Sequence, residues 1–354
     1  MRLAHDVAGV EGLPCAPSPH TVLHMIRTSI RPRAVALSVL LCASPLLATT
    51  PATASDGARA DGERRVDDGG ARADDRALGT AASDGVLSER VRAERREAFN
   101  PYVIIPHRHN YVLPISYTSS LNESAYQRDD IPLREGLTPA EVKFQVSLKT
   151  QLNEEDLFLA NDSLSFGLTI EAWWQLYASD LSSPFRETNY TPELFYLKPL
   201  LWGPFGGSTA LSFGIVHQSN GQVQGLSRSW NRLYASFVYE RGNFIASVRP
   251  WYRLPEEDKE SPDDPEGDDN PDILDFMGHG ELAFAWRDSR YEYSLRGHGN
   301  PDTGKGGVEL GVTFPLFGRF RGYANYFNGY GESLIDYDHF QARVGLGLSL
   351  TNMF

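Results

Sequence analysis

The stretch GVELGVTF, residues 307–314, alternates without interruption between small or polar residues and apolar ones. Valine, leucine and phenylalanine occupy every second position, and glycine, glutamate and threonine occupy the others. Successive side chains of a β-strand point to opposite faces, so this period of two predicts a strand with one apolar and one polar face. The stretch RVGLGLSL, residues 343–350, repeats the pattern near the end of the chain.

The same alternation recurs along most of the remaining sequence. About twelve segments carry it, and they lie near 110–118, 142–150, 164–178, 192–199, 208–217, 229–240, 243–252, 277–287, 291–298, 306–315, 319–328 and 339–351. A soluble β-sandwich would also alternate. Here, however, the polar face carries glutamate, arginine, lysine and glycine, and short connections alternate with long ones, as in an outer-membrane barrel. The chain also ends on an aromatic residue, Phe354. We therefore predict an all-β fold, a twelve-stranded antiparallel transmembrane β-barrel of the bacterial outer membrane.

The N-terminal part of the chain is typical of an exported protein. A basic stretch, an apolar run over 34–48 and small residues at 52–54 match a secretory signal peptide. We interpret residues 1–54 as a start site assigned too early followed by this signal peptide. Both cysteines precede the expected cleavage site. A mature chain without disulfides is compatible with the bacterial envelope.

The segment 55–99 is rich in alanine, glycine, aspartate and arginine. It cannot bury enough apolar surface to offset the entropy of ordering, so we expect a disordered linker. Residues 100–354 then form the barrel domain. The net charge of −13 argues against a nucleic acid as partner.

Three polar residues fall on apolar faces of neighbouring strands. Along the strand near 208–217, the apolar face continues in steps of two to His217 and Ser219. On the strand near 229–240, the same steps lead back to Asn231. If the strands pair as a hairpin, His217 faces Asn231, with Cβ atoms about 4.5–5.5 Å apart. We expect all three side chains to point out of the barrel near its external rim.

This set has the chemistry of a nucleophilic triad. Ser219 is a weak nucleophile until a base removes its proton, and histidine has a pKa suited to that task. Asn231 would orient the ring of His217 without adding a charge at the lipid boundary. Ordinary polar residues of the interfacial girdle are the alternative interpretation.

Several further stretches, in their order and spacing, resemble the outer-membrane phospholipase A family. They are KFQVSL at 143–148, WWQL at 173–176, SSPFRETNY at 182–190, HQSNG at 217–221, SRSWNRLY at 227–234, RPWY at 249–252, DDNPDI at 268–273 and GYGESLIDY at 329–337. The resemblance covers nearly all of the chain from about residue 100 onward.

The resemblance implies a phospholipase A1/A2 that hydrolyses acyl esters of glycerophospholipids and also lysophospholipids. It implies Ser219 as nucleophile, His217 as base and Asn231 as the residue that orients His217. The backbone amide of Gly221, with that of Ser219, would hold the oxyanion. The enzyme would be integral to the bacterial outer membrane, with its active site toward the outer leaflet and the cell surface.

The resemblance also implies calcium as cofactor. The family's ligands fall here on Ser182, on Gln222 through its backbone carbonyl, on Ser227 and on Asp269. Oxygen ligands of mixed type suit this hard cation. About one ion per monomer, shared across a dimer, is implied. We interpret the acidic run 256–269 as a solvated loop, with the exception of Asp269.

The resemblance implies membrane phospholipids and a second copy of the chain as partners. The family's homodimer uses a glutamine on the outer face of the barrel, and Ile170 stands at that position here. Apolar packing could still join two barrels, because polar pairs in membranes contribute only about 1–2 kcal/mol or less. A porin-like barrel without catalysis and a lipid A deacylase are the alternative functions.

Overall fold

The computed structural model describes residues 86–100, 105–126, 136–222, 224–261, 264, 266–318 and 320–353. The predicted signal peptide and most of the predicted linker lie outside these residues. The helices are α1 (Val86–Glu97) and α2 (Ile273–Met277). The strands are β1 (Ile105–Pro106), β2 (Tyr111–Thr118), β3 (Ala140–Gln151), β4 (Ser163–Trp174), β5 (Phe185–Leu200), β6 (Ser208–Ser219), β7 (Ser229–Arg241), β8 (Phe244–Arg253), β9 (Gly280–Asp288), β10 (Tyr291–Asn300), β11 (Lys305–Pro315), β12 (Arg321–Gly329) and β13 (Gln341–Ser349).

Strands β2 to β13 form a closed antiparallel barrel. Each pairs with the next along the chain, and β13 pairs back onto β2, with Val344 opposite Tyr117. This arrangement confirms the predicted twelve-stranded barrel. The two-residue strand β1 lies outside that count and pairs with the end of β3, where Ile105 faces Lys149.

The two faces of the barrel wall have inverted polarity compared with a soluble protein. On β11, Val308 and Leu310 point outward and are 44% and 46% exposed. Charged residues of the opposite face, such as Lys143 on β3 and Arg343 on β13, are buried in the lumen. An outward apolar belt around a polar interior is the pattern of an outer-membrane barrel. No helix among the described residues is both long and apolar enough to cross a membrane.

The loops that follow β6 and β8 leave the same end of the barrel, because neighbouring strands are antiparallel. They span 220–228 and 254–279, and the turn 242–243 closes the opposite end between them. The predicted alternation of short and long connections holds for these loops. The exception is 152–162, a long connection that lies at the end of the barrel where the short turns are.

Helix α1 corrects the prediction of disorder for part of 55–99. Its residue Glu94 forms a 2.7 Å ion pair with Lys149 of β3, and Arg90 donates a 2.7 Å hydrogen bond to the carbonyl of Pro106. The composition of this segment cannot build a core of its own, but its charged side chains find partners at the end of the barrel. The prediction is therefore wrong for 86–97, while the rest of the segment up to 85 is not described.

A network of ion pairs fills the lumen near the long loops. Arg186 of β5 contacts Glu141 at 2.6 Å and Asp336 at 3.0 Å, and Arg343 contacts Glu141 at 2.8 Å and Glu332 at 2.7 Å. All five side chains are almost completely buried. Each charge therefore has a partner of opposite sign, as buried charges require.

Candidate active site

Strands β6 and β7 carry the three residues expected to form the triad. Along β6, Phe213 and Ile215 are exposed on the outer face, and this face continues to His217 and Ser219. In the hairpin His217 stands directly opposite Asn231, and Ser219 stands opposite Ser229. This is the register expected from the sequence, and it keeps the apolar residues of both strands on one side, which a slip of one residue would not.

His217 and Asn231 are joined by a hydrogen bond of 2.9 Å between the ring nitrogen Nδ1 and the amide oxygen Oδ1. An amide oxygen only accepts, so this assignment of the amide makes Nδ1 the donor. The other ring nitrogen, Nε2, then keeps a free lone pair. A neutral imidazole in this tautomer can accept a proton from a hydroxyl group.

Ser219 lies two residues beyond His217 on the same face of β6 and is half-buried. Among the described residues, no hydrogen bond joins its hydroxyl to the imidazole. Such bonds are often long before substrate binds. The structure thus brings the three side chains to one outer rim, with the ring of His217 already held by Asn231.

Asn220 organises the loop that follows Ser219. This buried residue accepts a 2.9 Å hydrogen bond from the backbone amide of Arg228 and donates one of 2.8 Å to the carbonyl of Leu226. The next residue, Gly221, has a φ of +63°, which a side chain would strain. Asn220 was not among the predicted site residues, although an Asn-Gly pair after a strand is a turn signal.

Two of the expected calcium ligands lie together. The hydroxyl of Ser227 donates a 2.6 Å hydrogen bond to Oδ2 of Asp269, which joins the loops after β6 and β8. Gln222 lies on the same loop as Ser227, and its backbone amide donates a 3.3 Å hydrogen bond to the side-chain oxygen of Asn220. Asn270, which is fully buried, accepts a 3.1 Å hydrogen bond from the backbone amide of Ser229 and fixes the two loops further.

Ser182 lies on a different loop from these ligands. It lies on the loop between β4 and β5, with a φ of +58°, and its amide bonds to the carbonyl of Ser179. No hydrogen bond between described residues links it to Ser227 or Asp269.

The oxygen groups of this rim fit a hard cation. In the described part of the chain, no three histidine, cysteine, aspartate or glutamate side chains cluster around a common point. A calcium ion would therefore depend on the carboxylate of Asp269, the hydroxyl of Ser227 and backbone carbonyls, which are ligands that it accepts. The ammonium group of Lys259 already lies 2.5 Å from Oδ1 of Asp269, so the site attracts a positive charge.

The acidic loop after β8 is not simply solvated, and this part of the sequence interpretation is wrong. Besides the contact of Lys259, Asp268 forms a 2.6 Å ion pair with Arg253 at the end of β8. Glu256 accepts a 3.1 Å hydrogen bond from the amide nitrogen Nδ2 of Asn231. Burial raises the pKa of the Glu256 carboxyl above its usual range, although the hydrogen bond from Asn231 acts in the opposite direction.

Comparison with known proteins defines the class of the molecule. The sequence model of the Phospholipase A1 family matches residues 87–350. The Phospholipase A1 of Escherichia coli K12 is 40% identical over 261 residues, which are 73% of this chain and 85% of that protein. The Phospholipase A1 of Klebsiella pneumoniae is 40% identical over 257 residues, 72% of this chain and 85% of that protein.

Solved structures agree with the sequence relatives. The crystal structure of the Salmonella typhi outer membrane phospholipase dimer with bound calcium has a TM-score of 0.67 and 37% identity, and it covers 75% of this chain and 98% of that one. Outer membrane phospholipase A from Escherichia coli gives 0.67 and 38% over the same shares. The chain is thus an integral outer-membrane β-barrel enzyme. It belongs to the Phospholipase A1 family.

Proposed function

We propose that this phospholipase cleaves acyl esters of glycerophospholipids, and of lysophospholipids, with Ser219, His217 and Asn231 in a calcium-dependent reaction. The observation that carries the proposal is the 2.9 Å hydrogen bond between His217 and Asn231 on the outer face, where Ser219 follows His217 by two residues along the same strand. A passive pore would have no use for an oriented base on its lipid-facing side.

The reaction follows from the geometry of the hairpin. Nε2 of His217 takes the proton of the Ser219 hydroxyl while the Ser219 oxygen attacks the acyl carbonyl of the lipid. The protonated ring then gives that proton to the departing alcohol oxygen, which leaves as the lysolipid. A water molecule, deprotonated by the same ring, releases the fatty acid from Ser219. The backbone amides of Ser219 and Gly221 would hold the oxyanion.

Calcium would be held by Asp269, Ser227 and the backbone carbonyl of Gln222. When bound, it supplies positive charge that stabilises the negative oxygen of the reacting ester. Ser182 of the partner subunit would complete the site in a dimer, as the family resemblance implies. The Salmonella typhi relative, a dimer with bound calcium, supports this assignment.

The dimer would pack through the outer face that contains Ile170. This residue lies on β4, between Val146 of β3 and Tyr190 of β5. The active site would face the outer leaflet and the cell surface, because the long loops at its end are those that project outside in such barrels.

The test is hydrolysis of a defined phosphatidylcholine by purified, detergent-solubilised protein, with calcium and with a chelator. We expect turnover only with calcium, while heat-modifiable gel migration shows a folded barrel in both cases. Asp269→Ala should raise the calcium concentration that is required. Asp258→Ala, which removes an exposed carboxylate from the same loop, should not.

Sedimentation of the same samples tests the shared site. If calcium bridges two barrels, calcium binding and dimerisation are coupled. Calcium then stabilises the dimer by the same free energy by which dimerisation strengthens calcium binding. Full activity with chelator, or in a monomer, would contradict the calcium and dimer parts of the proposal. Release of fatty acids from lipid A instead of phospholipid would favour a deacylase.

A further inference from the structure

Glu256 lies against the group that orients the catalytic base. Its carboxylate accepts from Nδ2 of Asn231, and the other end of the same amide, Oδ1, accepts from His217. Asn231 thus stands between an imidazole and a carboxylate. Glu256 was not among the predicted site residues.

The two ends of an amide are almost identical in shape but opposite in function. If the Asn231 amide were flipped, its NH₂ group would face Nδ1, and His217 would carry its proton on Nε2. That tautomer cannot take the proton of Ser219. A carboxylate only accepts hydrogen bonds, so Glu256 selects the orientation in which the amide oxygen faces the ring.

The backbone holds Glu256 in this position. The amide of Leu254 donates a 2.8 Å hydrogen bond to the carbonyl of Asn231, which extends the pairing of β7 and β8 by one step. Pro255 follows and has no amide hydrogen, so the ladder ends there. The next side chain, that of Glu256, is half-buried over Asn231.

We infer that Glu256 is a positioning residue, which acts through Asn231 to keep His217 in its catalytic tautomer. The inference rests on the proposed triad. Loss of one charge-assisted hydrogen bond predicts an approximately tenfold lower kcat for Glu256→Ala. KM should not change, because the effect acts on proton transfer by His217. All variants are compared at saturating calcium, because the charges of Glu256 and Asp269 interact.

The experiment is a set of steady-state measurements on folded, detergent-solubilised variants. Glu256→Gln should lie between the unaltered protein and Glu256→Ala, because its carbonyl can accept the same hydrogen bond but its NH₂ group can also donate to a flipped Asn231 amide. Glu256→Ala should cause no further loss in an Asn231→Ala background, because its effect requires Asn231. Glu257→Ala, at an exposed neighbouring position, is the matched control and should behave as the unaltered protein.

A second test is specific to the side-chain amide of Asn231. Asn231→Asp keeps an acceptor for His217 but sets one carboxylate against another at Glu256. Adding Glu256→Gln supplies an amide donor and should raise activity above that of Asn231→Asp alone. Absence of this rescue, or an equal loss from Glu256→Ala with and without Asn231, would overturn the inference. Activity that survives Ser219→Ala would instead contradict the proposed function itself.

A separate contact supports a second inference, at the calcium ligands. Both carboxylate oxygens of Asp269 are occupied in the structure, Oδ1 by Lys259 at 2.5 Å and Oδ2 by Ser227 at 2.6 Å. The side chains of Lys259 and Asp269 are 15% and 9% exposed, so water screens this pair only in part. Lys259 is also anchored to its own loop by a 2.9 Å bond to the carbonyl of Asp264.

We propose that Lys259 is a tethered cation that competes with calcium for Asp269. Its ammonium must leave that oxygen before a metal ion can bind there, and it returns when the ion dissociates. This inference also rests on the proposed calcium site. Its test is calcium binding itself, measured by isothermal titration in detergent without any substrate.

Lys259→Ala should bind calcium about tenfold more tightly than the unaltered protein, whereas Lys259→Arg should not. Lys305→Ala, which removes a positive charge at the same end of the barrel but contacts Phe276, controls for general electrostatics. Unchanged or weaker binding by Lys259→Ala would refute the competition. If neither protein binds calcium, the competition and the proposed calcium site fail together.

Discussion

Two groups of polar residues lie at the same end of the barrel, on opposite faces of its wall. In the lumen, Arg186, Glu141, Arg343 and Glu332 are buried, charged and paired with one another. On the outer rim, His217 and Asn231 are accessible and joined by a single hydrogen bond. The lumen can hold charges because each one has a partner of opposite sign, whereas Asn231 on the rim orients His217 without placing a charge next to the ring.

With the proposed triad on the outer face, one set of strands would carry stability and catalysis on separate faces. Substitutions in the lumen should weaken the fold and leave the chemistry of the folded fraction unchanged. Substitutions on the rim should do the opposite. The predictions below test that separation.

The largest effect is expected for Ser219→Ala on the rim. We expect phospholipase activity to fall by at least about 10³-fold, because no other described group can replace the nucleophile. Heat-modifiable migration should match that of the unaltered protein, since the Ser219 side chain makes no hydrogen bond within the described structure. Substantial activity in a folded Ser219→Ala protein would remove the rim from the mechanism.

His217→Ala and Asn231→Ala should differ in degree. Proton transfer by a positioned base contributes about 10²–10⁴-fold, so His217→Ala should lose that amount. Asn231→Ala should lose less, because Asn231 orients the ring and does not itself transfer the proton. The measurement is kcat/KM on one phospholipid, and a lower value for Asn231→Ala would reverse the two roles.

Arg186→Ala tests the lumen. Removing one partner of a buried ion pair costs about 3–5 kcal/mol. Here Asp336 would lose its partner, and Glu141 would keep only its ion pair with Arg343. The midpoint of heat-modifiable migration should therefore fall markedly, while activity of the folded fraction below that midpoint stays near normal. Loss of activity with unchanged heat stability would contradict the separation of the two faces.

Acid should weaken the lumen network through Glu332. Burial alone would raise the pKa of this carboxyl, but the ion pairs with Arg343 and Lys143 outweigh burial and lower it to about 2. A carboxyl with a lowered pKa stabilises the fold above its unfolded value of 4.5, and this contribution is lost as the pH falls from 4.5 toward about 2. The heat stability of the unaltered protein should decline in that window. Glu332→Gln should be less stable at neutral pH, and its heat stability should change less with pH. Equal pH dependence in both proteins would exclude Glu332 as the cause.

The smallest effect is expected on the lipid-facing wall away from both groups. Ile170→Gln would add a polar pair across a dimer, and such pairs contribute about 1–2 kcal/mol or less in membranes. Sedimentation with calcium should show a modestly tighter dimer, with the heat stability of each barrel unchanged. An unchanged dimer would exclude this face as the interface, and a weaker one would show that a polar pair does not form there.

The strand pattern, the two faces and the opposition of His217 to Asn231 could all be predicted from the sequence. They depend on a period of two and on hairpin pairing, and both are local properties of neighbouring residues. The same holds for Ser219, which lies two steps along one strand from His217. The order of the family-like stretches added the candidate ligands Ser227 and Asp269, which the structure joins by a hydrogen bond.

The contacts of residues outside the alternating strand pattern were decided only by the tertiary structure. Glu256 and Lys259 lie in an acidic run with no alternation, and nothing in that run indicates which charge meets Asn231 or Asp269. Helix α1 has a composition that predicts disorder, yet Glu94 finds Lys149 once the barrel has closed. Alternation fixes which face a side chain occupies, whereas the partner of a loop charge depends on how distant segments approach in the folded chain.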